Sequence, residues 1–327
     1  MEPSLKPLKP LSVAELTAQW SHQSEPLVSI ICATYQHEQF INDAINGFLG
    51  QKTVFPFEIL IRDDASTDGT QEIIQCYAKR YRGIVIPVLE TENRYPEVKP
   101  TCVLAKRAKG TYLAFCEGDD YWTDPLKLQK QIDFHQLNPD HAMSFHYFTN
   151  VIDERDPIEK SNVNEPVNSL LVAPRFCTRI AINVLDGMPN ALWAAPNGDQ
   201  VIKFFLEDYG KIAFLPDIKP AVHRVHPGGV MSAVTNLARS ERRLRTWEVV
   251  EQVYRGKPRY KAAKRRRDQA LVGNYLLRIS ESSDIRRKLS LVIEAFFLGV
   301  WFAGVRSWLA RLLRKSFRAL RNHLIIV

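Results

Sequence analysis

Glu117, Asp119 and Asp120 place three carboxylates within four positions, interrupted only by Gly118 and followed at once by Tyr121 and Trp122. Carboxylates this close repel one another, and a shared cation is the direct way to keep them ionised. Hard oxygen donors suit Mg²⁺ or Mn²⁺, ions that bridge readily to a substrate's phosphates. Thr111 to Cys116, just before the acids, is apolar and partly aromatic. The cluster therefore ends a buried strand. A solvated acidic turn is the competing reading; the buried strand before the acids and the aromatic pair after them favour a metal.

Other elements converge on the same end. Leu27 to Ala33 is a continuous apolar run, the mark of a strand buried on both faces, and it ends in Thr34-Tyr35-Gln36-His37. Phe40, Ile41, Ala44, Ile45, Phe48 and Leu49 then recur at helical spacing. Phe57 to Ile61 reads as a second strand, closing on Arg62-Asp63-Asp64-Ala65-Ser66-Thr67-Asp68-Gly69-Thr70. Ile73, Ile74 and Tyr77 mark a second helix, Ile84 to Leu89 a third strand, and Val103 to Ala108 a short helix. Strand–helix alternation predicts an α/β fold, a mostly parallel Rossmann-like sheet with flanking helices. Ligands of such sheets gather at the carboxyl ends of the strands. Thr34-Tyr35, Asp63-Asp64 and Glu117 to Asp120 all fall there. Ser66 or Asp68 is expected to cap the helix after Gly69.

Further on, Ala142 to Tyr147 reads as a strand, Ile152 to Asn168 as a polar excursion and Phe176 to Val184 as an apolar run. Trp193-Ala194-Ala195-Pro196-Asn197-Gly198-Asp199-Gln200 opens a helix, with Asp199 placed to cap it. Short strands at Ile212 to Leu215 and Pro220 to Val225 lead into His223-Arg224-Val225-His226-Pro227-Gly228-Gly229. A histidine on such a loop can ligate a metal or touch a diphosphate.

The motifs in this order resemble the family 2 glycosyltransferases. The matching stretches are Val28 to Tyr35, Glu58 to Thr70, Ala108 to Ala114, Glu117 to Trp122 and Lys127 to Gln131. The resemblance implies a GT-A fold, a nucleotide-sugar donor, most commonly UDP-linked, and inverting transfer to a hydroxyl of a glycan or lipid-linked acceptor. It implies that Thr34, Tyr35 and Asp64 contact the nucleoside, with Asp64 the partner of the base. Asp119 and Asp120 then hold Mn²⁺ or Mg²⁺, and Asp119 and His226 face the donor diphosphate. Asp199 falls where the family keeps its general base. Glu117 stands where the family usually has Asp, and Asn93-Arg94-Tyr95 where it often has Asn-x-Gly. A nucleotidyltransferase acting on a sugar phosphate is the alternative chemistry, but no Gly-rich basic loop follows the first strand to hold a triphosphate.

The whole chain of 327 residues is 45% apolar, enough for a large core. Its five cysteines form no CxxC pair, which suits reduced, buried thiols. No apolar leader follows the first lysines, so a cytoplasmic catalytic part is expected. Charge is uneven: residues 1–238 hold 22 Lys+Arg against 29 Asp+Glu, residues 239–327 hold 22 against 7. Three parts are therefore expected: a loose, proline-bearing arm over 1–25 with one helical turn around Val13 to Trp20, a catalytic domain over 26–235, and a basic helical region over 236–327. The catalytic domain divides into a nucleotide-sugar half, 27–140, and an acceptor half, 141–235. Residues 289–305 are apolar but interrupted by Glu294 and shorter than the ~20 residues that span a bilayer. After them, Trp308, Leu309, Leu312, Leu313, Phe317 and Leu320 line one helical face flanked by arginines. That pattern suits a helix lying in an anionic membrane surface, peripheral and on the cytoplasmic face. The other reading is a helical hairpin on the protein's own core or a dimer interface, which leaves a homo-oligomer open. A basic-tailed nucleic-acid binder without catalysis fits the charge; the bulky apolar faces favour lipid, so no nucleic acid is expected.

Overall fold

A computed structural model of the chain describes residues 5–20, 25–151, 177–178, 187–229 and 234–297. The polar excursion at 152–168, most of the apolar run at 176–184 and the amphipathic face at 308–320 lie outside those residues. The chain divides into two compact units, Met1–Ala233 and Val234–Val327.

In the first unit, α1 (Val13–Thr17) precedes β1 (Val28–Thr34), α2 (Ile41–Leu49), β2 (Phe57–Asp63), α3 (Thr70–Arg80), β3 (Val85–Leu89), α4 (Pro100–Ala105) and β4 (Tyr112–Phe115). Then come α5 (Lys127–Leu137), β5 (His141–Phe145), β6 (Phe148–Val151), β7 (Cys177–Thr178), α6 (Asn190–Trp193), α7 (Gly198–Leu206), β8 (Lys211–Phe214) and β9 (Ala221–Arg224). Seven strands form one sheet in the order β3-β2-β1-β4-β7-β5-β8, and β6 pairs with β9 in a separate two-stranded sheet. Pairing is parallel throughout except for β7, which is antiparallel to both β4 and β5. Every residue of β2 is buried, as is every residue of β1 except Ala33. This is why both read as unbroken apolar runs.

The core gathers Val28, Ile30 and Cys32 of β1, Ile59 and Ile61 of β2, Phe48 of α2 and Trp122. Phe48 meets Trp122 edge to face, ring centroids 4.8 Å apart. The Lys127-to-Gln131 motif is structural in this fold. The Lys127 ammonium is buried over the Trp122 ring at 3.9 Å and donates to Gln131 Oε1 at 2.7 Å. Gln131 and His135 both reach Ser144 Oγ of β5, at 3.2 and 3.0 Å. The network pins α5 beneath the acid loop.

Residues 5–20 are docked rather than loose, and the helical turn expected around Val13 to Trp20 is α1. Ser12 and Glu15 form a reciprocal capping box that starts α1. Leu16 is buried, Leu11 and Trp20 pack against the core, and the Leu5 carbonyl accepts the Tyr121 hydroxyl at 2.7 Å. The prolines suggested a free arm, whereas apolar side chains between and after them dock it.

The second unit contains α8 (Asn236–Tyr254), α9 (Tyr260–Glu281) and α10 (Ile285–Phe297). α8 and α9 share buried Trp247, Val250 and Ile279 and are joined by Arg267–Glu251 at 3.1 Å and Arg278–Glu241 at 2.7 Å. On α10, Ile285, Leu289 and Ile293 recur every fourth residue and are all more than half exposed, while Leu291 is buried. No helix among the described residues is long and apolar enough to cross a membrane.

Candidate active site

From β1 the chain runs outward to β2 and β3, then crosses back to place β4 on the other side of β1. The sheet order reverses between β1 and β4, and the crevice beyond their carboxyl ends is the expected ligand site. The acid loop is held against β1: Cys116 N donates to Ile31 O at 3.1 Å and Gly118 N to Ala33 O at 2.9 Å. A Cβ on Gly118 would stand 2.8 Å from Thr34 Cβ and Oγ1 and 3.0 Å from His37 Nδ1, so glycine permits the approach. Thr34 is buried, and Tyr35 is 44% exposed.

Asp119 points into a cluster with two histidines. Its Oδ2 lies 3.2 Å from His226 Nε2 and 3.7 Å from His37 Nε2. The three side chains offer donor atoms all within 4.8 Å of one another, a set that can hold a metal ion. Asp119 Oδ1 and His37 Nδ1 are buried without a hydrogen-bond partner in the protein. Burial opposes ionisation of Asp119, but the His226 bond and the two neighbouring imidazoles outweigh it and hold its carboxyl below the ordinary range. Burial holds the His37 imidazole below its usual value against the pull of Asp119, favouring the neutral ring that ligates metals.

Asp120 turns the other way. It is 1% exposed, and its Oδ1 accepts the Arg224 N–H at 2.9 Å. Burial, then repulsion from Asp119 and Glu117, pushes its carboxyl well above the usual range. Glu117 presents exposed surface, yet the cleft walls crowd its carboxyl. That crowding, with repulsion from Asp119 and Asp199, raises it to about 8. The repulsion among these carboxylates is the part that a cation would relieve. It also places Asp199 within electrostatic reach of the acid loop. Asp199 does not cap its helix: the N-cap of α7 is Asn197, and Asp199 stands in the first turn.

Arg224 ties the crevice together. Its guanidinium bonds the Asp119 carbonyl at 3.0 Å, pairs with Asp43 of α2, and lies over the Tyr121 ring at 4.5 Å. Tyr121 and Val222 exchange backbone hydrogen bonds at 3.2 and 2.9 Å, bringing β9 and His226 to the acid loop.

On the other side of β1, Asp64 is buried, paired with Arg62 at 2.7 Å and accepting the Tyr95 N–H at 2.9 Å. Arg62 also reaches Glu90 at 3.1 Å. The Asn93-Arg94-Tyr95 stretch thus borders the carboxylate expected to meet the base. Ser66 and Asp68 are not the helix cap, which is Gly69. Ser66 Oγ accepts Gln36 N at 2.8 Å and Asp68 Oδ2 accepts Glu38 N at 3.1 Å, lacing the loop after β2 to the loop after β1.

The structure therefore gathers Asp119 and His226, with Glu117 and Asp199 in electrostatic range of one another. Asp120 lies outside the donor cluster. His37 and Asp43 were not singled out from the sequence. For His37 the available signal was its place at the carboxyl end of β1, level with the acids; Asp43 left none beyond its place in a helix.

Residues 29–181 match the family model described as Glycosyl transferase family 2. The putative teichuronic acid biosynthesis glycosyltransferase TuaG of Bacillus subtilis is 36% identical over 136 residues, 42% of this chain and 52% of that protein. The chain spans between about a third and a half of the length of such curated relatives. Staphylococcus aureus TarS in complex with UDP-GlcNAc superposes with a TM-score of 0.52 at 17% identity, covering 84% of this chain and 93% of that one. The mannosyltransferase PcManGT from Pyrobaculum calidifontis, in complex with GDP-Man and Mn²⁺, gives 0.50 at 15% identity over 88% and 84%. At these identities the likeness is one of fold, the GT-A arrangement of a mostly parallel α/β sheet.

Proposed function

We propose that the chain, whose residues 29–181 match the model of glycosyl transferase family 2, moves a sugar from a nucleotide donor, UDP-linked, to a hydroxyl of a membrane-linked or cell-surface glycan. The observation that carries this reading is the acid loop at the β1/β4 crevice, with Asp119 facing two histidines and Asp199 near Glu117. The ligands named for TarS and PcManGT and the pathway named for TuaG support the donor and acceptor classes.

Asp119, His226 and His37 fit a divalent ion: two donor atoms lie within 3.7 Å of the Asp119 oxygen, and a second carboxylate oxygen is left without a partner. Such an ion supplies Lewis-acid stabilisation to the departing nucleoside diphosphate. The chain's own residues do the rest. Asp64, fixed by Arg62 and the Tyr95 amide, presents a held carboxylate to the base, and Thr34 and Tyr35 border the nucleoside. Asp199 accepts the proton of the acceptor hydroxyl as its oxygen attacks the anomeric carbon. Attack from the face opposite the leaving group inverts the centre in one displacement, so no second protein nucleophile is needed. Arg224 holds the acid loop in place throughout. The basic carboxyl-terminal region keeps the enzyme in the cytoplasm at the inner face of a membrane, beside its acceptor.

Calorimetry with UDP, GDP and dTDP, each in Mn²⁺ and in EDTA, tests the donor reading, and NMR of the product tests stereochemistry. Metal-dependent binding with UDP tightest, and an inverted anomeric centre, are the expected results. Equal affinity in Mn²⁺ and EDTA, or a retained configuration, would sink the proposal.

A further inference from the structure

Residues 5–20 precede the stretch that matches the family model, yet they reach the acid loop: the Tyr121 hydroxyl donates to the Leu5 carbonyl at 2.7 Å. Resting on the donor reading above, we propose that residues 5–11 are a strap that completes the active site, with Tyr121 as its positioning residue. The strap fixes the Tyr121 ring, the ring carries Arg224, and Arg224 sets Asp119 toward the donor diphosphate.

The strap is anchored along its length. The Leu11 N–H donates to the Leu49 carbonyl, at the end of α2, at 3.0 Å, and Leu16 of α1 is buried. Between Leu5 and Leu11 the chain lies close against the end of α2. A Cβ on Gly50 would stand 2.6 Å from Leu8 Cβ and 3.0 Å from the Lys9 carbonyl oxygen, so glycine admits the approach. Pro7 and Pro10 have a fixed φ, so fewer unfolded conformations compete with the docked one.

Tyr121 is buried and is held at backbone, ring and hydroxyl. Its backbone exchanges hydrogen bonds with Val222 at 3.2 and 2.9 Å, its ring lies 4.5 Å from the Arg224 guanidinium, and its hydroxyl meets Leu5. The backbone bonds place the residue, and the hydroxyl bond keeps the ring from turning. A guanidinium is attracted to the face of an aromatic ring, so a ring held still is a fixed platform for it. From that platform Arg224 Nη1 donates to the Asp119 carbonyl at 3.0 Å, and the Arg224 backbone N–H donates to Asp120 Oδ1 at 2.9 Å. Both bonds fall on the acid loop itself.

Tyr121→Phe removes the hydroxyl alone, and deletion of residues 1–8 removes the carbonyl it meets while keeping α1. UDP affinity in Mn²⁺, by calorimetry, should fall about 3- to 10-fold in each, the size of one neutral hydrogen bond. It should fall no further when the two changes are combined, because the same interaction is lost only once. Tyr77→Phe is the control for stability: it removes a hydroxyl bonded to Asn46 Oδ1 at 2.9 Å, between α3 and α2, and should leave UDP affinity unchanged. Hydrogen exchange needs no nucleotide. Amides of residues 116–122 and 221–226 should exchange about threefold faster or more in Tyr121→Phe, with those of β2 unchanged. UDP binding that Tyr121→Phe leaves unchanged overturns the strap and leaves the donor reading standing, an outcome that does not depend on the shortened chain folding. Fully additive losses overturn it too, since the hydroxyl and the arm would then act separately. If UDP does not bind the unaltered protein, the donor reading falls and exchange decides the strap: faster exchange at the acid loop upholds it, and unchanged exchange removes it.

Discussion

Asp199 and Glu117 repel each other across the crevice, and each carries a distinct expectation. Asp199→Asn keeps the shape of the side chain and removes its basic oxygen. Turnover should drop by about 10²–10⁴-fold while donor affinity stays within a few-fold, as measured by steady-state assay and calorimetry. Glu117 titrates at about 8 in the folded protein against 4.5 when unperturbed. Between those values the folded chain keeps a proton that the unfolded chain has lost. Its contribution to stability is therefore complete below pH 4.5 and is lost as pH rises through 8. In chelator, the melting temperature of the unaltered protein should fall from pH 5 to pH 8 more steeply than that of Glu117→Gln. Parallel curves would show that the repulsion is not felt. Asp119 and His226 could be singled out as candidates because each lies in a dense motif. The split between Asp119 and Asp120 could not: adjacent residues turn to different sides, Asp119 to the histidines and Asp120 to the Arg224 N–H. His37, a single histidine after a strand, has no pattern of its own.

At the scale of elements, β9 matters less for its length than for what Arg224 does. Removing one partner of a buried ion pair costs about 3–5 kcal/mol, and because Asp43 still meets water we expect about 3 kcal/mol for Arg224→Met. Urea denaturation measures it. Arg224→Lys should recover little of the loss, since one ammonium cannot serve both Asp43 and the Asp119 carbonyl as a guanidinium does. A variant within 1 kcal/mol of the unaltered protein, on the scale of ordinary surface changes, would contradict this role. The parallel strands β1, β2 and β4 were readable because burial on both faces leaves unbroken apolar runs. β7, Cys177–Thr178, lies inside the apolar run marked at 176–184, most of which falls outside the described residues. The docking of residues 5–20 was also missed, because it depends on Leu11, Leu16 and Trp20 meeting a core built from residues further along the chain.

For the whole molecule, counting charges was enough to separate an acidic body from a basic end. The exposed Ile285, Leu289 and Ile293 of α10, beside Arg286, Arg287 and Lys288, add apolar area to that charge. Removing residues 286–327 should release the protein from anionic liposomes while leaving UDP binding intact. Binding of the full chain should weaken as salt rises, because each basic residue near such a surface contributes ~1 kcal/mol and is screened within a Debye length. Sedimentation of the shortened chain with liposomes would show that the attachment lies elsewhere. The distance in sequence between the two sides of the crevice has a consequence for how the enzyme comes into being. Asp119 and Asp120 meet their partners on Arg224 and His226 only across 104 to 107 positions. Closing so long a loop is slow relative to local pairing. On the ribosome, β1 to β4 can assemble while the acid loop still lacks Arg224 and His226, and the loop is completed only after residue 226 has emerged. A nascent chain halted before that point carries most of the sheet and none of the competence.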